Sequence, residues 1–240
     1  GLVRFDTTID WREKHRMLRT EFRPARFADT VRCEIQFGHI ERTTLERDDV
    51  ERAQFEVCAH KWVAVEGETG GFALLNDSKF GHRVKDGLIS LNLLRSPTFP
   101  DKTADRGIHE TSYAIRPFAS GDLAGVIRDA YRFNNPLLIA PGAALPSVAS
   151  SSDPAVIVET LKPAENGDGI VVRLYESLGR PVMTALRVAL PHRTATETDL
   201  MERPLGPADL DALSFGPFEI KTIHLGLGDQ LGFDDTEAVR

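Results

Sequence analysis

The chain has 240 residues, with 27% charged side chains, a net charge of -7 and an isoelectric point near 5.5. This length suffices for one large domain or two small ones, and the acidic balance without a long basic run argues against a nucleic-acid partner. No apolar run approaches the ~20 residues that span a bilayer, so we expect no membrane partner. The N-terminus lacks a signal-peptide core and begins abruptly on a strand-like pattern, which we interpret as a piece of a longer protein.

The first part of the chain alternates apolar and polar residues with the period of two that is typical of half-buried strands. The predicted strands cover residues 3–11, 17–22, 31–37, 55–59 and 62–65. Residues 41–52 are charged and have little apolar period, so we expect a long exposed loop there.

The two cysteines, Cys33 and Cys58, both lie in strand-like runs. A structural zinc site uses about four Cys or His ligands in paired spacing, and neither the cysteines nor the seven scattered histidines show it. We therefore expect two buried free thiols in a reducing cytoplasm, and no metal site in this chain.

Residues 71–113 combine three predicted strands with two polar connections. The strands are Phe72 to Leu75, Leu88 to Leu94, and a run that starts at Thr111. Asn, Asp, Ser, Gly and Pro stop the first two, so both connections should be surface loops, where binding groups tend to lie. These loops carry a dense set of polar residues: Asn76, Asp77, Lys79, Arg95, Asp101 and Asp105.

One segment has helical period, from Leu123 to Tyr131, with Ser120 as the expected N-cap. Beyond it, residues 143–154 are rich in Pro, Ala and Ser, and we predict a linker. Four strand-like runs follow and predict a small β-sandwich over residues 155–227. They cover residues 155–161, 169–175, 182–190 and 215–227. The acidic tail, residues 228–240, lacks apolar period and is expected to pack loosely.

Arg95 is the most informative charged residue of the two loops. It follows a strongly apolar strand and precedes Ser-Pro, so we expect its guanidinium at the end of a strand. Its five donors suit a sugar hydroxyl or a carboxylate, and an ordinary salt bridge at the sheet edge is the alternative.

The acidic residues of this stretch permit two further interpretations. Asp101 and Asp105 stand as in a calcium loop, but Ser112 stands where such a loop ends on Glu, which favours a tight polar turn. A glycosidase needs two carboxyl groups that face a sugar, and Asp77 and Glu110 are also available for such a pair.

A series of short motifs stands in an order typical of one protein family. In the first half they are Cys33 to Gly38, Phe55 to Trp62, Ala73 to Gly81, Leu93 to Pro97 and Pro100-Asp101. The matches continue with Ala104-Asp105, Gly107, His109, Ala124 to Ile127, Asn135 to Leu138, Val158 to Lys162 and Val172 to Glu176. The chain resembles the C-terminal half of glycoside hydrolase family 38 α-mannosidases, most closely their cytosolic-type branch, over most of residues 3–227.

The resemblance implies an all-β fold: residues 1–142 belong to a large mutarotase-like sandwich with one short helix, and residues 155–227 to the small terminal sandwich. It implies a retaining exo-α-mannosidase whose zinc ligands and Asp nucleophile lie on an N-terminal α/β domain that is not in this chain. This chain would then hold no catalytic residue and no metal ligand. The implied partners are an α-mannoside or oligosaccharide substrate and the protein's own catalytic domain.

In related enzymes, an arginine at a strand end of the large sandwich reaches the rim of the zinc pocket. The resemblance makes Arg95 the candidate for that role, followed by Asn76, Asp77 and Lys79 in the preceding loop. Between Arg42 and Ala53, the chain lacks the His and Trp that the family usually has.

Two other roles remain open: an autonomous carbohydrate-binding module, and a purely structural domain that forms a homo-oligomer interface. Phe80 and Phe99 are the only aromatic residues in the two loops that could stack on a sugar.

Overall fold

The computed structural model describes residues 1–25, 27–137, 141–142 and 147–226. Strands predominate among these residues, and the only two helices described have five and twelve residues. The predicted all-β class is therefore confirmed, and the predicted helix is the longer of the two. The chain forms two compact units, Gly1–Ile139 and Ala140–Arg240. The domain limits predicted from the sequence stay predictions, and the acidic tail lies outside the described residues.

The first unit is a sandwich of two antiparallel sheets. The six-stranded sheet has, in spatial order, β1 (Val3–Trp11), β10 (Gly107–Phe118), β7 (Gly70–Asn76), β6 (Trp62–Gly67), β3 (Thr30–Ile35) and β4 (Gly38–Thr43). The four-stranded sheet has β2 (Leu18–Phe22), β9 (Leu88–Leu94), β8 (Gly81–Lys85) and β5 (Val57–Cys58). Buried residues of both sheets form one core, with Val31, Cys33 and Leu74 facing Ile89 and Leu91. This packing follows from the alternation in the sequence, because every second residue of a strand points to the same face.

Aromatic rings join β1, β2 and β10 at one side of this core. The rings of Phe5 and Tyr113 stack with centroids 5.2 Å apart, and Phe22 meets Tyr113 edge-on at 6.3 Å. Pairs of this kind contribute about 0.5–1.5 kcal/mol beyond their burial. They tie the edge strand β1 to the opposite sheet.

Helix α2 (Leu123–Asn134) lies against β7 and β10. Its N-cap is Asp122, whose carboxylate accepts a hydrogen bond from the Gly125 amide, so the predicted Ser120 cap is wrong. Asp122 also pairs with the buried Arg116 at 2.8 Å. Gly125 makes room for this pair, because a Cβ at that position would collide with the carboxylate of Asp122.

Three predictions for the first unit are corrected. The expected loop over residues 41–52 contains the end of β4 and a short helix, α1 (Asp49–Ala53), capped by Asp48. The first polar connection contains β8, which the sequence analysis missed because, beside Val84, this strand buries the polar residues His82 and Lys85. Cys58 is exposed, so the prediction of two buried thiols holds only for Cys33.

The second unit is a smaller sandwich. Its five-stranded sheet has, in spatial order, β12 (Val156–Pro163), β13 (Ile170–Glu176), β19 (Ile220–Gly226), β16 (Thr194–Thr198) and β17 (Pro204–Pro207). Two pairs complete it: β14 (Val182–Thr184) with β18 (Leu213–Phe215), and β11 (Ala149–Ser151) with β15 (Leu186–Val188). The core contains Val172, Leu174 and Ile223 from the sheet with Leu186 and Phe215 from the pairs. Strand β11 lies inside the range predicted as a linker, and β16 and β17 had no counterpart in the sequence analysis.

A buried carboxylate fixes two loops of the second unit. Glu176 is fully buried, and its oxygens accept hydrogen bonds from the amides of Leu178, Gly179, Arg180 and Phe218 at 2.8–3.2 Å. Backbone amides supply the partners that a buried carboxylate requires, so this residue organises both turns.

Candidate functional site

At one end of the first unit, four connections cross between the two sheets, and hydrogen bonds tie them together in pairs. They comprise residues 12–17, 59–61, 77–80 and 95–106. The His15 amide donates to the Ser96 carbonyl at 2.9 Å, which joins the first connection to the last. The Ala59 amide donates to the Phe80 carbonyl at 3.0 Å, which joins the other two. We call this end of the sandwich the loop end.

A groove of about 410 Å³ opens at the loop end between the first and last of these connections. It is lined by His15, Arg16, Met17, Arg95, Ser96, Pro97, Thr98 and Phe99. Five of these residues come from a single run that starts at Arg95, directly after β9. The predicted position of Arg95, at the end of an apolar strand and in a surface loop, is therefore what the structure has.

Ser96 anchors the wall of the groove. It is 1% exposed, and its hydroxyl accepts a hydrogen bond from Trp11 Nε1 at 2.6 Å and donates to the Arg16 carbonyl at 3.1 Å. Its φ of 53° is left-handed, as are those of His15 (51°) and Asp105 (61°). Such conformations cost roughly 1–3 kcal/mol each in residues other than glycine and cluster at functional sites. The sequence carried no pattern that predicts this cluster.

The guanidinium of Arg95 is exposed to solvent at the groove. Among the described residues, none gives this guanidinium a hydrogen bond or an ion pair, whereas most other arginines of the first unit lie within 4.0 Å of a carboxylate. The described residues therefore do not form the salt bridge that was the alternative role of Arg95. Five unused donors at a concave surface can bind a hydroxyl-rich or anionic ligand.

Asp105 closes the loop that begins at Arg95. Its Oδ2 accepts hydrogen bonds from the amides of Arg95 at 2.9 Å and Ser96 at 2.8 Å. The Ser96 and Arg95 amides hold the pKa of Asp105 below its usual value, and the charges of His109 and Lys79 act in the same direction. The Asp105 carboxylate therefore bonds the Arg95 backbone in its own loop and lies within reach of the charge of Lys79 on another connection.

Asn76 and Asp77 hold their own loop in place. The Asn76 side chain is fully buried, donates to the His60 carbonyl at 2.8 Å and accepts from the Lys79 amide at 2.7 Å. The Asp77 carboxylate accepts from the Ser112 amide at 2.9 Å. Neither residue, nor Lys79, is among the described residues that line the groove. Their role in binding a sugar stays a prediction.

The other acidic and aromatic side chains of the loop end take distinct positions. Asp101 accepts hydrogen bonds from the amide and hydroxyl of Thr103, which is a tight polar turn. Phe99 is 88% exposed at the groove, and Phe80 is exposed on the neighbouring connection. Within the described ranges, no three His, Cys, Asp or Glu side chains converge to hold a metal ion, so these residues do not fit a zinc site.

Comparison with known proteins matches both units of this chain to one family. Residues 1–103 match the model of the glycosyl hydrolases family 38 C-terminal domain. Residues 155–223 match that of the glycosyl hydrolases family 38 C-terminal beta sandwich domain. The chain belongs to glycosyl hydrolase family 38. The two matches correspond to the two units of the structure, and the predicted family is confirmed.

The family 38 relatives are much longer than this chain. Alpha-mannosidase 2C1 of Homo sapiens is 42% identical over 242 residues, which cover 94% of this chain and 23% of the relative. Alpha-mannosidase G of Dictyostelium discoideum is 38% identical over 92% of this chain and 22% of its own length. The chain thus spans less than a quarter of these curated relatives.

A solved family 38 fold agrees with both sandwiches. An alpha-mannosidase from Enterococcus faecalis V583 superposes with a TM-score of 0.79 at 20% identity, covering 93% of this chain and 27% of that one. No helix in the described part of this family 38 chain is long and apolar enough to cross a membrane.

Proposed function

We propose that this chain is the C-terminal β-sandwich region of a zinc-dependent, retaining exo-α-mannosidase that hydrolyses terminal α-D-mannosides in the cytoplasm. The names of the human and Dictyostelium relatives support the activity, and the share of their length that the chain covers leaves room for a catalytic domain outside it. Zinc and the nucleophile would belong to that domain. The described residues contain no donor set for zinc, so no catalytic step is assigned to zinc on this chain.

The chain's own contribution would be to support the catalytic domain and to lend polar side chains to its sugar pocket. One observation carries this proposal: the Arg95 guanidinium is exposed at the groove and unpaired with any described residue, whereas Arg16, which also lines the groove, pairs with Glu13 at 3.4 Å. A donor fork of this kind binds two sugar oxygens at once and restricts the rotation of the ring. Lys79 places a positive charge near Asp105, on the neighbouring connection.

The experiment compares the full-length protein with the 240-residue chain on an activated α-mannoside in the presence of zinc. We expect turnover by the full-length protein and none above the buffer blank by the chain alone. Turnover by the chain alone would refute the assignment of catalysis to another domain.

The role of Arg95 is tested by Arg95→Ala in the full-length protein. Loss of a charge-assisted hydrogen bond to substrate should lower kcat/KM by about 1–3 kcal/mol, or roughly 5- to 150-fold. Arg106→Ala is the matched control, because Arg106 is an exposed arginine of the same loop that does not line the groove in the described structure. Equal kinetics for the two variants, with unchanged melting, would leave Arg95 without a substrate role.

A second candidate function, autonomous carbohydrate binding, is favoured by the exposure of Phe99. Its ring lies 88% exposed at the same groove, where it could stack on the apolar face of a sugar. Calorimetric titration of the chain with mannose or mannobiose tests this function. Saturation at millimolar or lower concentration that Phe99→Ala abolishes would support it, and the absence of heat would exclude it.

A third candidate is a structural role that includes a homo-oligomer interface. Leu200 and Met201 in the turn between β16 and β17, and Leu205 in β17 itself, are exposed on the second unit. Light scattering measures the oligomeric state, and a monomer at all concentrations would exclude a homo-oligomer interface.

A further inference from the structure

The carboxylate of Asp105 spans the loop of residues 95–106 and binds it at its beginning. A single oxygen, Oδ2, accepts the amides of both Arg95 and Ser96 at 2.9 and 2.8 Å. The Asp105 carbonyl in turn accepts a hydrogen bond from His109 Nε2 at 2.8 Å, on strand β10. The loop is thus tied across its ends to a strand of the six-stranded sheet.

Ser96 is held from the opposite side by different elements. Its hydroxyl contacts Trp11 at 2.6 Å and the Arg16 carbonyl at 3.1 Å, and its own carbonyl accepts the His15 amide at 2.9 Å. Asp105 therefore fixes the backbone amides of Arg95 and Ser96, and Trp11 with the connection of residues 12–17 fixes the hydroxyl and carbonyl of Ser96.

These hydrogen bonds are needed because the local backbone conformation is unfavourable in free energy. Ser96 and Asp105 both have left-handed φ values, 53° and 61°. Residues other than glycine keep this conformation only where the surroundings impose it. Without the Asp105 acceptor, the amides of Arg95 and Ser96 would lose their partners and the strand end would relax. The direction in which Arg95 leaves the backbone would then no longer be fixed.

We propose that Asp105 is a positioning residue that holds the Arg95 guanidinium in the groove for substrate binding. The proposal rests on the function proposed above for Arg95. Asp105 acts through the backbone. It is not among the described residues that line the groove, and its Oδ2 already accepts hydrogen bonds from two amides. Arg95 remains the residue that meets the sugar.

A double-mutant cycle in the full-length protein tests this proposal. Kinetics on an activated α-mannoside are measured for Arg95→Ala, Asp105→Ala and the double variant. If Asp105 acts through Arg95, each single variant loses about 5- to 150-fold in kcat/KM, and the double variant loses no more than about threefold beyond Arg95→Ala. A double variant whose loss is the product of the single losses would overturn the proposal.

Asp105→Asn is the conservative variant, since its amide oxygen can accept both backbone amides and Asn tolerates the left-handed conformation. We expect it to retain kcat/KM within about threefold. A loss as large as that of Asp105→Ala would show that the charge acts directly and would overturn the positioning role. This variant also decides the question if Asp105→Ala does not fold.

Asp101→Ala is the matched control, because Asp101 bonds only to Thr103 within the same loop among the described contacts. It should leave kcat/KM unchanged. The two proposals can fail separately. Normal kinetics of Arg95→Ala refute the proposed role of Arg95 in substrate binding. An impaired Arg95→Ala with a normal Asp105→Ala refutes only the positioning role of Asp105.

Discussion

His82 makes the stability of the first unit depend on pH. Its side chain is fully buried in β8, where Nδ1–H donates to the Phe80 carbonyl at 3.2 Å and Nε2 has no partner among the described residues. Burial lowers the pKa of His82 from 6.5 to about 4, against the smaller opposing effect of the Phe80 hydrogen bond. Protonation would place a charge and an unsatisfied N–H in the sandwich core.

The sign and size of the effect follow from the two pKa values. Between pH 6.5 and 4 the unfolded chain binds more protons than the folded chain, so stability falls as the pH falls. At about 1.4 kcal/mol per pKa unit, the full loss is roughly 3 kcal/mol, of which about 2 kcal/mol is lost between pH 7 and pH 5. Most carboxyl groups of the unfolded chain titrate below this interval, so the histidines dominate it.

The assay is urea unfolding of the chain at pH 7 and pH 5, followed by tryptophan fluorescence. Trp11 and Trp62 are the only tryptophans of the sequence, and both belong to the first unit. His82→Asn keeps a donor for the Phe80 carbonyl but does not titrate in this range. We expect wild type to lose about 2 kcal/mol more than this variant between the two pH values.

His192→Asn is the matched control, since His192 makes the same ring contact to a carbonyl two residues earlier, but in the second unit. It should keep the wild-type pH dependence of the fluorescence transition. If His82→Asn and wild type lose equal stability between pH 7 and pH 5, the argument from burial is wrong.

Three further predictions concern stability and reactivity. Glu176→Ala removes the buried acceptor of four backbone amides and should destabilise the second unit by about 3 kcal/mol, measured by calorimetry against the exposed Glu165→Ala. Gly125→Ala should lower stability by about 1–2 kcal/mol despite the better helix propensity of alanine, because its Cβ meets the Asp122 carboxylate; an increase in melting temperature would contradict this. Cys58 is exposed and should react with a thiol reagent in the native chain. Cys33 should react only on unfolding, because burial raises its pKa to about 11, and two fast equivalents of reagent would contradict this.

The strands that follow simple alternation could be predicted from the sequence, and β1 and β9 have the predicted bounds. Strand β8 could not, because it buries the polar side chains of His82 and Lys85. Lys85 is compensated by an ion pair with Glu46, which is distant in sequence. Helix α1 is too short for a period to be read and depends on the Asp48 cap. Apolar periodicity reports which face is buried and says nothing about buried polar residues.

The candidate site was predictable only in part. Arg95 followed from its place after an apolar strand and from the family resemblance, and the structure has it at a groove. The left-handed conformation of Ser96 depends on Trp11 and Arg16, about 80 residues earlier, so no local pattern could reveal it. Asp105 entered the sequence analysis as a possible calcium or catalytic carboxylate, and its bonds to two amides emerge only in three dimensions.

The four crossings at the loop end are separate from the strand pairings that set the register of the first sandwich. Strand register is set by pairing within each sheet, such as Ile9 opposite His109 and Leu74 opposite Ile115, away from these connections. Insertions or deletions in the crossings therefore need not shift any strand by the single residue that would turn its core face outward. Chimeras that graft the four crossings from one family member to another should therefore fold with the strand register unchanged.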